Sequence, residues 1–167
     1  MKKQTCLYNV ILPVWMLFLF PQFWLVALPG NLLIDCAVLL LALLALRHTA
    51  KLTVFKQLWW KIWLLGFAAD FVGIAALLPA LFMGTNLSGA QYEWWSTHIE
   101  PILYNCWKSP LALFWTAAAV GLSGVCIYFF DKWAMRSCAQ LTPRQRHILC
   151  LTLAILTSPW TFFIPMY

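Results

Sequence analysis

Residues 31–83 read NLLIDCAVLLLALLALRHTAKLTVFKQLWWKIWLLGFAADFVGIAALLPALFM, and the basic break inside this stretch decides the fold. An apolar run over 31–46 meets Arg47, His48, Lys51, Lys56 and Lys61, and a second apolar run covers 58–83. Each run is about the length needed to cross roughly 30 Å of hydrocarbon at 1.5 Å per residue. Neither alternates as a barrel strand does. A segment inside a bilayer must satisfy its own backbone groups, so both runs predict helices. The basic cluster is then a loop joining them at one membrane face.

The same reading, carried outward, predicts spans near 7–28, 31–46, 58–83, 109–130 and 148–166. Lys2 and Lys3 precede the first, while Lys132, Arg136, Arg144, Arg146 and His147 join the fourth to the fifth. Of the eleven Lys and Arg residues only Lys108 falls on the opposite side. Positive charge is retained on the cytoplasmic face during insertion. The expectation is an all-α, polytopic integral membrane helix bundle of five transmembrane helices, N-terminus in and C-terminus out. Its place is the plasma (cytoplasmic) membrane, as in a bacterial inner membrane. Residues 1–167 form one transmembrane domain, because no stretch between spans is long enough for a second.

Composition excludes the main soluble classes. With 63% apolar and 10% charged residues, the chain has too little polar surface to clothe a water-soluble core. The net charge of +6 does not point to nucleic acid. Its cations hug the ends of spans, where they fix orientation and meet anionic headgroups.

Lys2 and Lys3 before an apolar run resemble a secretory signal, but Pro13 and Pro21 interrupt the run and no clear Ala-x-Ala site follows. The first span is therefore expected to be retained. Pro29-Gly30-Asn31 predicts a tight exterior hairpin, although a single long helix over 23–46 is the other reading of the same residues. Later helix starts are better marked. Ser109-Pro110 sets an N-cap before proline at the first helical position. Thr142-Pro143-Arg144-Gln145 adds a capping box, and Pro159 should loosen the last span near Ser158. Trp59, Trp60, Trp63 and Trp133 fall at the inner interface, with Trp24, Trp94, Trp95, Trp107 and Trp160 at the outer one. That is the aromatic belt expected of indole.

Two carboxylates lie inside spans, at a cost of at least ~2.5–3.5 kcal/mol for a charge in hydrocarbon. Asp35 sits about one turn inside its predicted span, near the exterior, where a helix dipole favours an anion. Asp70 is near mid-span. Lys61, nine residues earlier, points to the opposite helix face about 13 Å away. Asp70 therefore needs a partner from another helix, or a proton. Gly66, Ala69, Gly73, Ala76 and Ala80 form a small-residue seam around it, which lets a neighbouring backbone approach. Ser123, Thr157 and Ser158 stand at comparable depth. A protonated Asp70 shared between helices is the structural reading. A proton or cation site built on Asp70, with Asp35, Ser123 and Thr157, is the functional one. Asp131 beside Lys132 reads as a solvated loop pair.

A second seam holds Gly121 and Gly124. Gly121-Leu122-Ser123-Gly124 resembles the nucleophile motif of rhomboid intramembrane proteases, but His48, His98 and His147 all fall outside spans or at their edges, so the general base is missing. None of the six cysteines forms Cys-x-x-Cys, and neither a zinc site nor a thiol oxidoreductase is expected. A Cys36–Cys106 bridge is possible. Gln91 to Trp107 mixes aromatic and charged residues as a helix in the headgroup plane would. No metal or cofactor is expected.

Leu28-Pro29-Gly30-Asn31 through Gly66-Phe67-Ala68-Ala69-Asp70, with its Gly-x-x-x-Asp pattern, faintly resembles the rod-shape morphogenesis protein MreD over less than a third of the chain. That resemblance implies a scaffold for cell-wall synthesis without catalysis. The residues themselves predict a non-enzymatic membrane subunit or scaffold, assembling through its seams with itself or with another membrane protein. The alternative is a small proton- or cation-linked carrier or channel. An intramembrane enzyme ranks last, for no base, nucleophile and oxyanion donor can be assembled.

Overall fold

The computed structural model describes residues 24–165. Within them the chain is helical, with no strand among the described residues. The helices are α1 (Trp24–Ala45), α2 (Lys51–Met83), α3 (Ala90–His98), α4 (Pro110–Ala134) and α5 (Pro143–Leu156), joined through short 3-10 turns. Among the described residues, α1, α2 and α4 are long and apolar enough to cross a membrane. The most extensive pairing is α2 with α4. Helix α1 packs on α2 and α5, and α5 packs on α4.

Two predicted span boundaries change. The 7–28 span lies outside the described residues except for its last five, which open α1. Those residues and 31–45 belong to one helix, so the hairpin predicted at Pro29-Gly30-Asn31 does not form. Proline is tolerated within a membrane helix because neighbours can supply the hydrogen bonds it disturbs. The Trp63 indole also donates to the Leu28 carbonyl at 3.1 Å, which ties α1 to α2 beside Pro29. At the other end, α5 has 14 residues and stops at Leu156. At about 21 Å it is too short to cross alone. Pro159 has no N–H for the Ile155 carbonyl, and the Trp160 indole takes that carbonyl at 2.8 Å. The chain then continues as a 3-10 turn, Trp160–Phe163.

The predicted caps form. Ser109 accepts from the Ala112 N–H, and Thr142 and Gln145 close a capping box. Helix α1 ends in a turn whose Arg47 has φ 48°. Its N–H bonds Leu44 and the next N–H bonds Leu43, which closes the last carbonyls of the helix.

The basic residues gather at one end of the bundle. The α1–α2 turn meets the α4–α5 connection, with His48 Nε2 at 3.1 Å from the Gln140 carbonyl. Lys61 donates to Ser137 at 3.1 Å and Cys138 to Gln57 at 3.4 Å. At the opposite end, α3 and two 3-10 turns fold over the top of α2 and α4, so the predicted in-plane helix is confined to Ala90–His98. Gly89, at φ 57°, makes the turn into it.

Large apolar side chains face outward, and several polar ones lie buried beside the apolar core. Leu25, Leu33, Phe114 and Phe129 are exposed, while Asp35, Thr116, Ser123 and Asp131 are buried. Such a distribution suits hydrocarbon as the solvent.

Candidate functional site: a carboxylate core

Helices α1 and α2 run antiparallel, and two facing pairs fix their register. Asn31 donates to Asp70 Oδ2 at 3.1 Å. One turn along, Gly66 faces Asp35 so closely that a Cβ there would lie 3.3 Å from Asp35 Oδ2. Asn31 and Asp35 are four residues apart, as are Gly66 and Asp70, so each helix presents both members on one face. From the third side, α4 brings the Ser123 hydroxyl to Asp70 Oδ1 at 3.3 Å. Close approach of α2 and α4 requires Gly73, whose Cβ position is 3.2 Å from Ser123 Cβ. The α2 seam is thus occupied within the chain, by α1 at Gly66 and by α4 at Gly73.

Asp70 is bonded by Asn31 of α1 and Ser123 of α4, and neither is a cation. Lys61 does not reach it and bonds Ser137 instead. Sequence reasoning placed Ser123 correctly and missed Asn31, which it assigned to a hairpin. The i, i+4 spacing of Asn31 and Asp35 was the available signal, but it has meaning only once α1 is continuous.

Asp35 is not interfacial. It stands eleven residues into α1 at 3% exposure, and its Oδ2 has no hydrogen-bond partner. Thr157, at the end of α5, also reaches this carboxyl. Its hydroxyl bonds the Leu153 carbonyl at 2.9 Å, so its single proton can serve either acceptor. Asp35 interacts electrostatically with both Asp70 and Asp131.

Asp131 corrects the reading of a solvated pair with Lys132. Helix α4 runs past it to Ala134, turning the two neighbours to different sides. Lys132 stays exposed with its ammonium over the Tyr128 ring, while Asp131 has 0% exposure and neither oxygen has a partner. Asp70, Asp35 and Asp131 therefore follow one another from mid-bundle toward the basic end.

The other candidates are placed elsewhere. Ser123 has 0% exposure and faces Asp70, while the three histidines bond Gln140, Trp94 and Tyr128, far from any serine-base arrangement. The five described cysteines are free thiols, so Cys36 and Cys106 are not bridged. Burial pushes the Cys106 thiol above its ordinary range. Among the described residues no three His, Cys, Asp or Glu side chains are grouped as metal ligands. Comparison with protein-family models, with curated proteins and with solved structures finds no match.

Proposed function

We propose that this protein is a small multi-pass membrane protein that moves or senses protons or a monovalent cation through Asp35 and Asp70. The observation that carries this reading is two carboxyls at mid-bundle to which no cationic side chain among the described residues is bonded, one of them with an unpartnered, buried oxygen. A carboxylate in that position needs a proton or a cation, and ionisable groups inside a bundle commonly serve such pathways. Asp131 continues the series toward the basic end.

The subunit or scaffold reading rests on the small-residue faces. Gly66 and Gly73 already serve contacts inside the chain, and so does Gly124, which packs on Ser158. Asp70 is satisfied by Asn31 and Ser123, whereas Asp35 keeps a buried oxygen with no hydrogen-bond partner among the described residues, and that favours the carboxyl reading. A bundle this small cannot divide into the paired repeats common in transporters. We therefore take the working unit to be a homo-oligomer or a complex with another membrane protein.

The test is flux in liposomes holding the purified full chain, with a pH-sensitive dye inside and an imposed gradient. Asp70→Asn keeps an oxygen to accept from Asn31 and offers an amide N–H to the Ser123 oxygen, so it should fold and lose the flux. Transport no faster than in protein-free vesicles sinks the carrier reading, as does an Asp70→Asn protein that transports like the parent.

We take the basic end as cytoplasmic, on the positive-inside rule, in a plasma membrane of the bacterial inner-membrane type. In a cysteine-free background, Ala139→Cys should react with an impermeant maleimide only after permeabilisation, and Ser88→Cys should react in intact cells. Both parent residues are exposed. The reverse pattern inverts the orientation.

A further inference from the structure

Helices α4 and α5 leave an open groove of about 540 Å³ on the outside of the bundle. Its floor is made of small residues, Gly121, Gly124 and Ala154, and its walls include Tyr128, Phe129 and Trp160. A Cβ placed on Gly121 meets nothing within 4 Å, so packing does not close the floor. Ser158 adds no free polar group, because its hydroxyl is bonded to the Ala154 carbonyl. From Ala117 to Phe129 the groove follows α4 for about 18 Å. The groove is long, open and apolar, a shape along which a hydrocarbon chain can lie.

The groove becomes basic at one end only. Tyr128 shares a hydrogen bond with His147 Nδ1 at 2.9 Å, and Lys132 Nζ lies 5.5 Å from the Tyr128 ring centre. Helical spacing leads each wall into basic residues: Val125, Tyr128 and Lys132 on α4, and Leu151, His147 and Arg144 on α5. An apolar slot that ends in Lys132, Arg144 and His147 matches a ligand with a hydrocarbon chain and an anionic head.

We propose that the α4–α5 groove is a binding site for an anionic phospholipid, with an acyl chain along the Gly121 floor and the phosphate against Lys132, Arg144 and His147. Basic residues at the ends of membrane helices attract such headgroups. The small floor residues give the chain depth, and the aromatic walls hold it. This site is separate from the carboxylate core and does not depend on the transport reading.

The test takes the purified full-length protein in detergent, equilibrates it with equal phosphatidylglycerol and phosphatidylcholine, and counts retained lipid by native mass spectrometry. One phosphatidylglycerol should be kept, about tenfold over phosphatidylcholine. Gly121→Leu, which enters open space and so should fold, should lose the bound lipid. Lys132→Gln combined with Arg144→Gln should remove the preference while leaving phosphatidylcholine retention unchanged. Soluble glycerol phosphate should not compete, which separates a lipid from a free phosphate. Equal retention of the two lipids by the parent overturns the proposal, as does lipid retention unaffected by Gly121→Leu. A second protein chain seated in the groove, released by Gly121→Leu, overturns it as well.

Discussion

Replacing Trp95 by Ala is expected to cost ~3–5 kcal/mol and to release residues 84–108 from the end of the bundle. Trp95 is 6% exposed and packs in a cluster with Ala80, Ile99, Ile102, Cys106 and Ala112. Its role is partly to complete α2. The Gly84 N–H bonds the Phe82 carbonyl, not that of Ala80 four residues back, and the Trp95 indole donates to Ala80 at 3.1 Å instead. Gly84 leaves room for the ring, since a Cβ there would lie 2.5 Å from it. Gly84→Ala should therefore be harmful in the parent and nearly harmless beside Trp95→Ala, a coupling measurable in a double-mutant cycle. Denaturant unfolding in mild detergent gives the stability change, and limited proteolysis reports on the 84–108 segment. A loss below about 1 kcal/mol would mean that the segment is held by its other contacts.

Trp95 also marks where the sequence became hard to read. Indoles at both ends of the apolar runs predicted interfacial belts, and Trp59, Trp60, Trp133, Trp94, Trp107 and Trp160 are indeed exposed. Nothing in the local pattern separates Trp95 from Trp94, because burial comes from the fold-back of α3 onto α2. The gathering of Arg47, Lys51, Lys132, Arg136 and Arg144 at one end was legible, since that charge segregation does not depend on packing. The caps at Ser109 and Thr142 were legible for the same local reason. Pro29-Gly30 misled, because turn statistics from aqueous proteins assume water to take the freed backbone groups. In the helix those residues occupy, packing of α1 on α2 holds the backbone instead, with the Trp63 indole bonded to the adjacent Leu28 carbonyl. Asp70 and Ser123 could be paired by depth alone. Asn31 and Asp35 could not, because the assumed hairpin moved both of them toward the surface.

Asp131→Leu is the substitution expected to stabilise the protein, by about 1–3 kcal/mol in detergent unfolding. Both carboxyl oxygens of Asp131 are buried without a hydrogen bond, so the folded state bears their desolvation with nothing returned. Leucine is apolar and not much larger, and the buried Cys150 lies near enough to Asp131 to interact with it. The matched change at Asp70 should go the other way. Asp70→Leu removes the acceptor for Asn31 and Ser123 and should cost about 1–3 kcal/mol for the buried Ser123 hydroxyl left unpaired, and less for the half-buried Asn31. Opposite signs for one chemical change at two buried aspartates would separate a carboxyl that holds helices together from one kept despite its cost. If Asp131→Leu instead destabilises, Asp131 has a partner when folded, and Arg146 is the first to test. Its Nε is also buried without an acceptor, and both residues act electrostatically on Cys150. Arg146→Met would then be harmful alone and much less so in the Asp131→Leu background.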